Sequence, residues 1–261
     1  MRTHLVEPSA EQVLAYCAED SVERVFLEDV ARRGAGHFAA LEREDGTLGA
    51  LCHLGTNVVP SGEGCEGFAE LAARAAPRML IGERRAVTEL WEASRRRLGR
   101  PREDRLRQPV YLATEPPEGG ATGLRAATPA DLDILVPACA KAHEEELGVD
   151  PLRRDANGFR WRTRVQIEEG RSWIWSEDGV ILFKAEASAW TPAAVQLQQV
   201  WVDPPARRYG HAKRAMRDLL VRLLGEVPAV CLFVRAENHA AIRLYETVGM
   251  RHVLDYRSVI L

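Results

Sequence analysis

Between residues 195 and 224 the hydrophobic period changes from two to 3.6 across a proline corner, and this switch narrows the possible folds more than any other feature of the chain. The segment "VQLQQVWV", residues 195–202, alternates and is rich in β-formers, so it reads as a strand. Pro204 and Pro205 follow. Proline cannot donate to a ladder, so the strand has to end near Val202. From Ala212 onward, apolar residues recur at Ala215, Met216, Leu219, Leu220 and Leu223, which is one face of a helix. The turn between them carries Arg207, Arg208, Gly210 and Lys213, and the helix is expected to start near Arg208 to Gly210. A helix start leaves its first amides without partners and presents the positive end of its dipole. Gly210 and Ala212 add little or no side chain, so a ligand can reach the backbone. The turn therefore suits a phosphate. A solvated basic helix start after a proline turn would show the same residues.

The rest of the chain supplies the context. "ATEPPEGGATG", residues 113–123, is dense in Pro and Gly without periodicity and reads as a linker between halves of similar size. After it come a short strand "LRAAT", a helix opened by Thr128 and Pro129, a second helix ended by Gly170, and two strands around a Glu-Asp-Gly turn. The strand and helix of the proline corner follow. The half closes with a buried strand "AVCLFV", a short helix from Asn238 to Gly249, and a last strand "YRSVIL". The order is β-α-α-β-β-β-α-β-α-β. The first half echoes that order, ending in the strands "RMLI" and "PVYLAT" around the helix "RRAVTELWEASRRRLG". Its counterpart of the basic turn is "SGEGCEG", which carries Glu63 and Glu66 and has no arginine before its glycines. Those anions would repel a pyrophosphate.

Composition excludes several classes. Of the 261 residues, 46% are hydrophobic and 28% charged, as in an ordinary globular protein. The net charge of -3 gives no case for general nucleic-acid binding. The basic run "ASRRRLGRPRED" is flanked by acids without interleaved aromatics and reads as a solvated helix end. No apolar run reaches the roughly 20 residues of a membrane span. The five cysteines are scattered without a C-x-x-C pair, which favours neither a disulfide framework nor a zinc site. His143 has no second ligand at metal spacing, so no metal is expected. The start lacks a signal-peptide pattern, and the expected location is the cytoplasm.

The pattern V-x-P-x-x-R-x-x-G-x-A, formed by Val202, Pro204, Arg207, Gly210 and Ala212, resembles the acyl-CoA motif of the GCN5-related N-acetyltransferase (GNAT) superfamily. Downstream, "NHAAIRLYETVGM" resembles that family's Asn-x-x-Ala-x-x-x-Tyr-x-x-x-Gly-Phe segment, with Met250 in place of Phe. The resemblance covers roughly residues 122–261, and the arrangement resembles tandem acetyltransferases with a degenerate first half. It implies an α/β (α+β) chain of two GNAT-like domains, 1–115 and 122–261, each a mixed, mostly antiparallel sheet flanked by helices. It also implies acetyl-CoA as co-substrate. The amides of Arg208, Tyr209, Gly210, His211, Ala212 and Lys213, beside Arg207, would hold the pyrophosphate. The backbone of Val200, Trp201 and Val202 would pair with the pantetheine arm, in a wedge between this strand and "AVCLFV". Asn238 would contact the cofactor, and Tyr245 would protonate the departing thiolate. A backbone amide of the strand would stabilise the oxyanion. Tyr245 also suits a core position on the stripe Ala241, Leu244, Tyr245, Val248.

One position departs from the family. Many relatives place a glutamate about six residues before the valine as general base, where this chain has Gln196. Gln198 shares its face. Glu186 on the preceding strand and Glu144, Glu145 and Glu146 in "HEEEL" are candidate replacements, although "HEEEL" also suits a solvated helix face. The expected function is N-acetyl transfer to a primary amine on a small molecule, peptide or protein, without nucleic-acid or membrane partners, by a monomer or homodimer. A non-catalytic acyl-CoA-binding or sensing module is the alternative.

Overall fold

Both halves join one continuous sheet. In the computed structural model, which describes residues 3–261, the first half runs β1 (Thr3–Val6), α1 (Ala10–Ala18), α2 (Val25–Arg32), β2 (His37–Arg43), β3 (Leu48–Leu54), β4 (Asn57–Gly62), α3 (Ala69–Arg74), β5 (Met79–Glu83), α4 (Arg84–Leu98) and β6 (Glu103–Ala113). The second runs β7 (Arg125–Ala126), α5 (Leu132–Leu147), α6 (Pro151–Glu168), β8 (Ser172–Glu177), β9 (Val180–Trp190), β10 (Val195–Val202), α7 (His211–Leu224), β11 (Val230–Phe233), α8 (His239–Thr247) and β12 (Arg251–Ile260). Local chemistry sets several boundaries. Ser9 and Gln12 form a capping box at α1, Asp150 caps α6, and Gly148 ends α5 in the left-handed region at φ 68°. Asp155 interrupts α6 with φ -159° and ψ 77°.

The twelve strands lie in the order β1-β2-β3-β4-β5-β12-β6-β11-β10-β9-β8-β7. From either edge the pattern is the same: antiparallel strands, then one parallel step, β4 to β5 or β10 to β11. The closing strands are exchanged. The parallel strand β5 pairs with β12, from the second half, and β11 pairs with β6, from the first. β6 and β12 also pair with each other, from Arg251↔Leu112 to Ile260↔Glu103. Both are longer than the sequence suggests, because the polar residues 103–108 and 251–255 join the ladder. Arg257 donates to Asp104 at 3.1 and 2.7 Å, and Arg107 donates to Asp255 at 3.2 and 3.1 Å. Cross-strand pairs of this kind support a strand that lacks an apolar alternation.

Alternation along β9, shifted by an irregularity between Ile181 and Phe183, sorts the second half into two faces. Phe183, Ala185 and Ala187 pack with Ala215, Met216, Leu219, Leu220 and Leu223 of α7 and Tyr245 and Val248. The other face packs Ile174, Ile181 and Trp201 against Leu135, Val136 and Cys139 of α5 and Ile167 of α6. Burying each large side chain here is worth about 1.5–3 kcal/mol. The linker is pinned to α7: the amides of Gly120 and Thr122 donate to the Asp218 carboxylate. A Cβ on Gly120 would lie 1.9 Å from the Arg214 carbonyl oxygen, so only glycine permits that approach.

Candidate active site

The sheet opens where the proline corner begins. β10 pairs with β11 at Val195↔Val230 and Gln196↔Cys231 and has no further partners on that side. On its other side it follows β9 to Val202↔Phe183, with a register shift between Gln198 and Trp201. Gln199 sits in that irregularity at φ 53°, a left-handed conformation unusual for a side-chain-bearing residue. Beyond Gln196 the edge of β10, through Val200, Trp201 and Val202, has no β11 partner, although Trp201 and Val202 remain paired with β9.

The gap leads to the start of α7. After a short 3-10 turn at Pro204–Ala206, Arg208 at φ 71° and Gly210 at φ 81° bend the chain into the helix. Gly210 is the N-cap and no side chain caps the helix, so the first-turn amides of His211, Ala212 and Lys213 are left to an outside acceptor. The helix starts at His211, one residue beyond the expected range, because two left-handed bends, at Arg208 and Gly210, use up the turn. His211 packs edge-on against Trp175 at 4.9 Å, and the Arg214 guanidinium lies over that indole at 4.8 Å. Tyr209 is 74% exposed. Backbone donors at a helix start of this kind could hold an anion.

Residues 137–250 match the Acetyltransferase (GNAT) family. Together with the wedge and the uncapped helix start, that decides the matter. This region is a GNAT acetyltransferase domain. Residues 36–135 match a domain of unknown function, DUF4081. Among solved structures, a GCN5-related N-acetyltransferase from Sphaerobacter thermophilus is 19% identical, with 98% of this chain and 94% of that one covered at a TM-score of 0.60. A Drosophila protein is 12% identical over 100% and 99% at 0.66. A tandem GNAT protein from the clavulanic acid biosynthesis pathway is 12% identical over 99% and 98% at 0.55. At such identities the likeness concerns the fold, and it extends over both halves. No curated protein matches in sequence. Among the described residues no His, Cys, Asp and Glu group could hold a metal ion, and no helix is long and apolar enough to cross a membrane.

On the α7–α8 face of the GNAT domain, Tyr245 is buried, 5.9 Å from the Tyr111 ring of β6. Burial, with the nearby Glu146 charge adding to it, holds its hydroxyl well above the usual tyrosine range, so it stays protonated. Asn238 is the N-cap of α8, and its Oδ1 accepts the Ala241 amide at 3.1 Å. That leaves its side-chain amide donors for a ligand.

The candidate bases lie on the other face. Gln196 is buried, and its side-chain amide donates to Ser188 Oγ at 2.9 Å. Glu186 is buried under α5, where its Oε1 accepts from Lys184 Nζ at 2.7 Å and from Cys139 Sγ at 3.1 Å. Burial is the largest effect on Lys184 and lowers its pKa, but the Glu186 and Cys139 charges and hydrogen bonds together outweigh it and the net direction is up. Burial pushes the Cys139 thiol up to about 12. Glu145 accepts two bonds from Arg207, at 2.8 and 2.6 Å, and one from Trp201 Nε1 at 3.2 Å. The Arg207 guanidinium is thus turned to Glu145, while its Nε donates to the Val202 carbonyl at 3.0 Å. Of the predicted residues, Tyr245 packs in the core that Val200 and Val202 of β10 also line, Asn238 caps α8, and Glu186 and Glu145 are engaged with cations.

The first half has the same parallel step, with β4 and β5 paired only at Asn57↔Met79 and Val58↔Leu80. Its cradle is filled from within. The amides of Gly64 and Cys65, at the start of the 3-10 turn that leads into α3, both donate at 3.0 Å to the Glu89 carboxylate of α4. Glu89 stands where an outside anion would bind. The sequence marks the acids of "SGEGCEG" but not Glu89, more than 20 residues away. Only the packing of α4 reveals it.

Proposed function

We propose that the GNAT domain transfers an acetyl group from acetyl-CoA to a primary amine. The observation that carries this is the continuity between the splayed edge of β10 and the uncapped start of α7. One accepts an extended arm by backbone pairing, and the other accepts a pyrophosphate. The residues fit coenzyme A on two further grounds. Gly210 takes a left-handed φ with nothing within 4 Å of a Cβ position, so the approach to the helix start is open. The flanking Arg208 and Lys213 supply cations, while the Glu89-filled cradle of the first half, residues 1–115, offers no such place. The thioester supplies an activated acyl group when bound. The chain's own part is to align that group along β10, to offer a free amide of the β10 edge to the developing oxyanion, and to donate a proton from Tyr245 to the departing sulfur.

The test is Tyr245→Phe, which removes one hydroxyl and keeps the ring. Transfer to amines in a broad panel, read by mass spectrometry, should fall about 10²-fold or more, with acetyl-CoA affinity unchanged. A variant as active as the wild type would remove Tyr245 from the reaction. A wild-type protein that binds acetyl-CoA yet acylates no amine would instead support an acyl-CoA-sensing role.

A further inference from the structure

The helical stripe of α5 changes character along its length. Leu132, Leu135, Val136 and Cys139 face the core, whereas one and two turns further the same face carries His143 and Glu146. This change occurs where α5 runs past the paired part of the sheet and over the wedge. Glu146 is tied to both sides of that opening. Its Oε2 accepts from Gln199 Nε2 at 3.2 Å, at the irregularity of β10. Its backbone carbonyl accepts from Arg235, which follows β11. The side chain is nevertheless 45% exposed.

The third contact comes from the first half. Arg105 of β6 donates to the Glu146 carbonyl at 3.1 Å and lies 3.9 Å from its carboxylate. Arg105 is itself fixed by a fork onto Glu103, at 2.9 and 3.1 Å, and is only 8% exposed. Glu103 also lies 3.8 Å from Arg235. The exchanged strand therefore brings a braced arginine to the mouth of the GNAT domain's wedge. Glu145 and Glu186 are drawn close by Arg207 and Lys184, whereas Glu146 keeps its carboxylate at a looser distance from any cation.

We propose that Glu146 is the carboxylate that meets the acceptor amine, and that the first half builds this site by holding Glu146 through Arg105. The proposal rests on the acyl-transfer reading. An alkylammonium docked at Glu146 gives it one proton, which passes on to solvent. The freed nitrogen forms its bond to the acyl carbon as the carbon–sulfur bond breaks. Of the two protons still on nitrogen, one stays in the amide and one is released, while the sulfur takes its proton from the Tyr245 hydroxyl and Tyr245 recovers the released one. Glu146 is a catalytic residue in this scheme, and Arg105 is a positioning residue.

The experiment uses the full chain, acetyl-CoA, and panels of alkylamines and arylamines at pH 7, where the former are protonated and the latter neutral. Glu146→Gln should lose about 10²-fold in kcat toward the best alkylamine but only about 3-fold toward the best arylamine, with acetyl-CoA affinity unchanged by calorimetry. Arg105→Leu should lower kcat toward the alkylamine about 10-fold, and Arg105→Lys should restore part of it. An unchanged rate in Glu146→Gln, or an equal loss toward both amine classes, overturns the assignment while leaving acyl transfer intact. Normal kinetics in Arg105→Leu overturns the first half's part in it. A wild-type protein inert toward every amine overturns the acyl-transfer reading and this proposal together.

Discussion

Glu186→Gln separates a structural carboxylate from a chemical one. Glu186 is 8% exposed and sits 2.7 Å from the ammonium of Lys184, which is completely buried. The substitution removes the only carboxylate on that ammonium and leaves a neutral acceptor. Breaking a buried pair on one side costs about 3–5 kcal/mol, and the amide oxygen that remains places this variant near the lower figure. For a chain of this size each kcal/mol moves the melting temperature by about 2–4 °C, so a fall of about 6–12 °C is expected. Lys184 Nζ also lies 3.5 Å from Gln199 Oε1, so the irregularity in β10 should loosen as well. The assay is a thermal melt beside acetyl transfer measured well below the transition. Replacing both partners with apolar residues, as Lys184→Met with Glu186→Leu, should recover most of the lost stability, because no lone buried charge remains. The reasoning is refuted if Glu186→Gln melts like the wild type and yet loses turnover by about 10²-fold, since that would make Glu186 a base.

Gly210→Glu sets a carboxylate at the start of α7 and forces a side chain into a left-handed φ, so acetyl-CoA binding by calorimetry should vanish and stability in the melt should fall by about 1–2 kcal/mol of backbone strain, even though the added Cβ meets open space. The same titration of the wild type should give one acetyl-CoA per chain, since Glu89 already takes the amides of Gly64 and Cys65, and two equivalent sites would contradict that account. Burial raises the Glu23 carboxyl to about 7, against partial relief from Ser61 Oγ and Arg24. A raised carboxyl pKa contributes stability that is present below its unfolded value near 4.5 and lost as pH rises through 7. Glu23→Gln should therefore stabilise the chain by about 3 kcal/mol at pH 8.5 and make no difference at pH 4, with denaturant melts at both pH values as the check.

The legible parts of the site are those whose chemistry is local. The cradle at residues 207–213 is a strand end, two prolines and a glycine within one turn, and each has its meaning in isolation. Asn238 and Tyr245 lie on one short helix at fixed spacing, so they were legible together. The acids were not. "HEEEL" shows three glutamates in a row, and what each one meets, Arg207 for Glu145 and Gln199 and Arg235 for Glu146, has no local signature. Extending the stripe Leu132, Leu135, Cys139 by further turns reaches Glu146, where the face has left the core and is exposed. Glu186 resembled a base because β9 neighbours β10. Its burial beside Lys184, two residues away on the same strand face, follows from the packing of α5, which the sequence does not place.

The strand exchange was illegible for a further reason. "PVYLAT" and "YRSVIL" have the apolar ends of ordinary closing strands, and nothing in either says which half will receive it. The charged residues ahead of them, Asp104 and Arg107 in one and Asp255 and Arg257 in the other, carry the information only as pairs, and a pair between residues some 150 positions apart has no local signature. Yet those pairs bear on the function of the first half. The first half, where Glu89 already takes the amides of Gly64 and Cys65, cannot be removed without taking β6 from between β11 and β12. That removal would uncover the edge of β11, strip Tyr111 from beside Tyr245, and leave the carbonyl of Glu146 without the Arg105 that holds it. On the proposed reading, a first half that takes no coenzyme A would still keep its fold, because the strand it lends stands beside Tyr245 and Glu146.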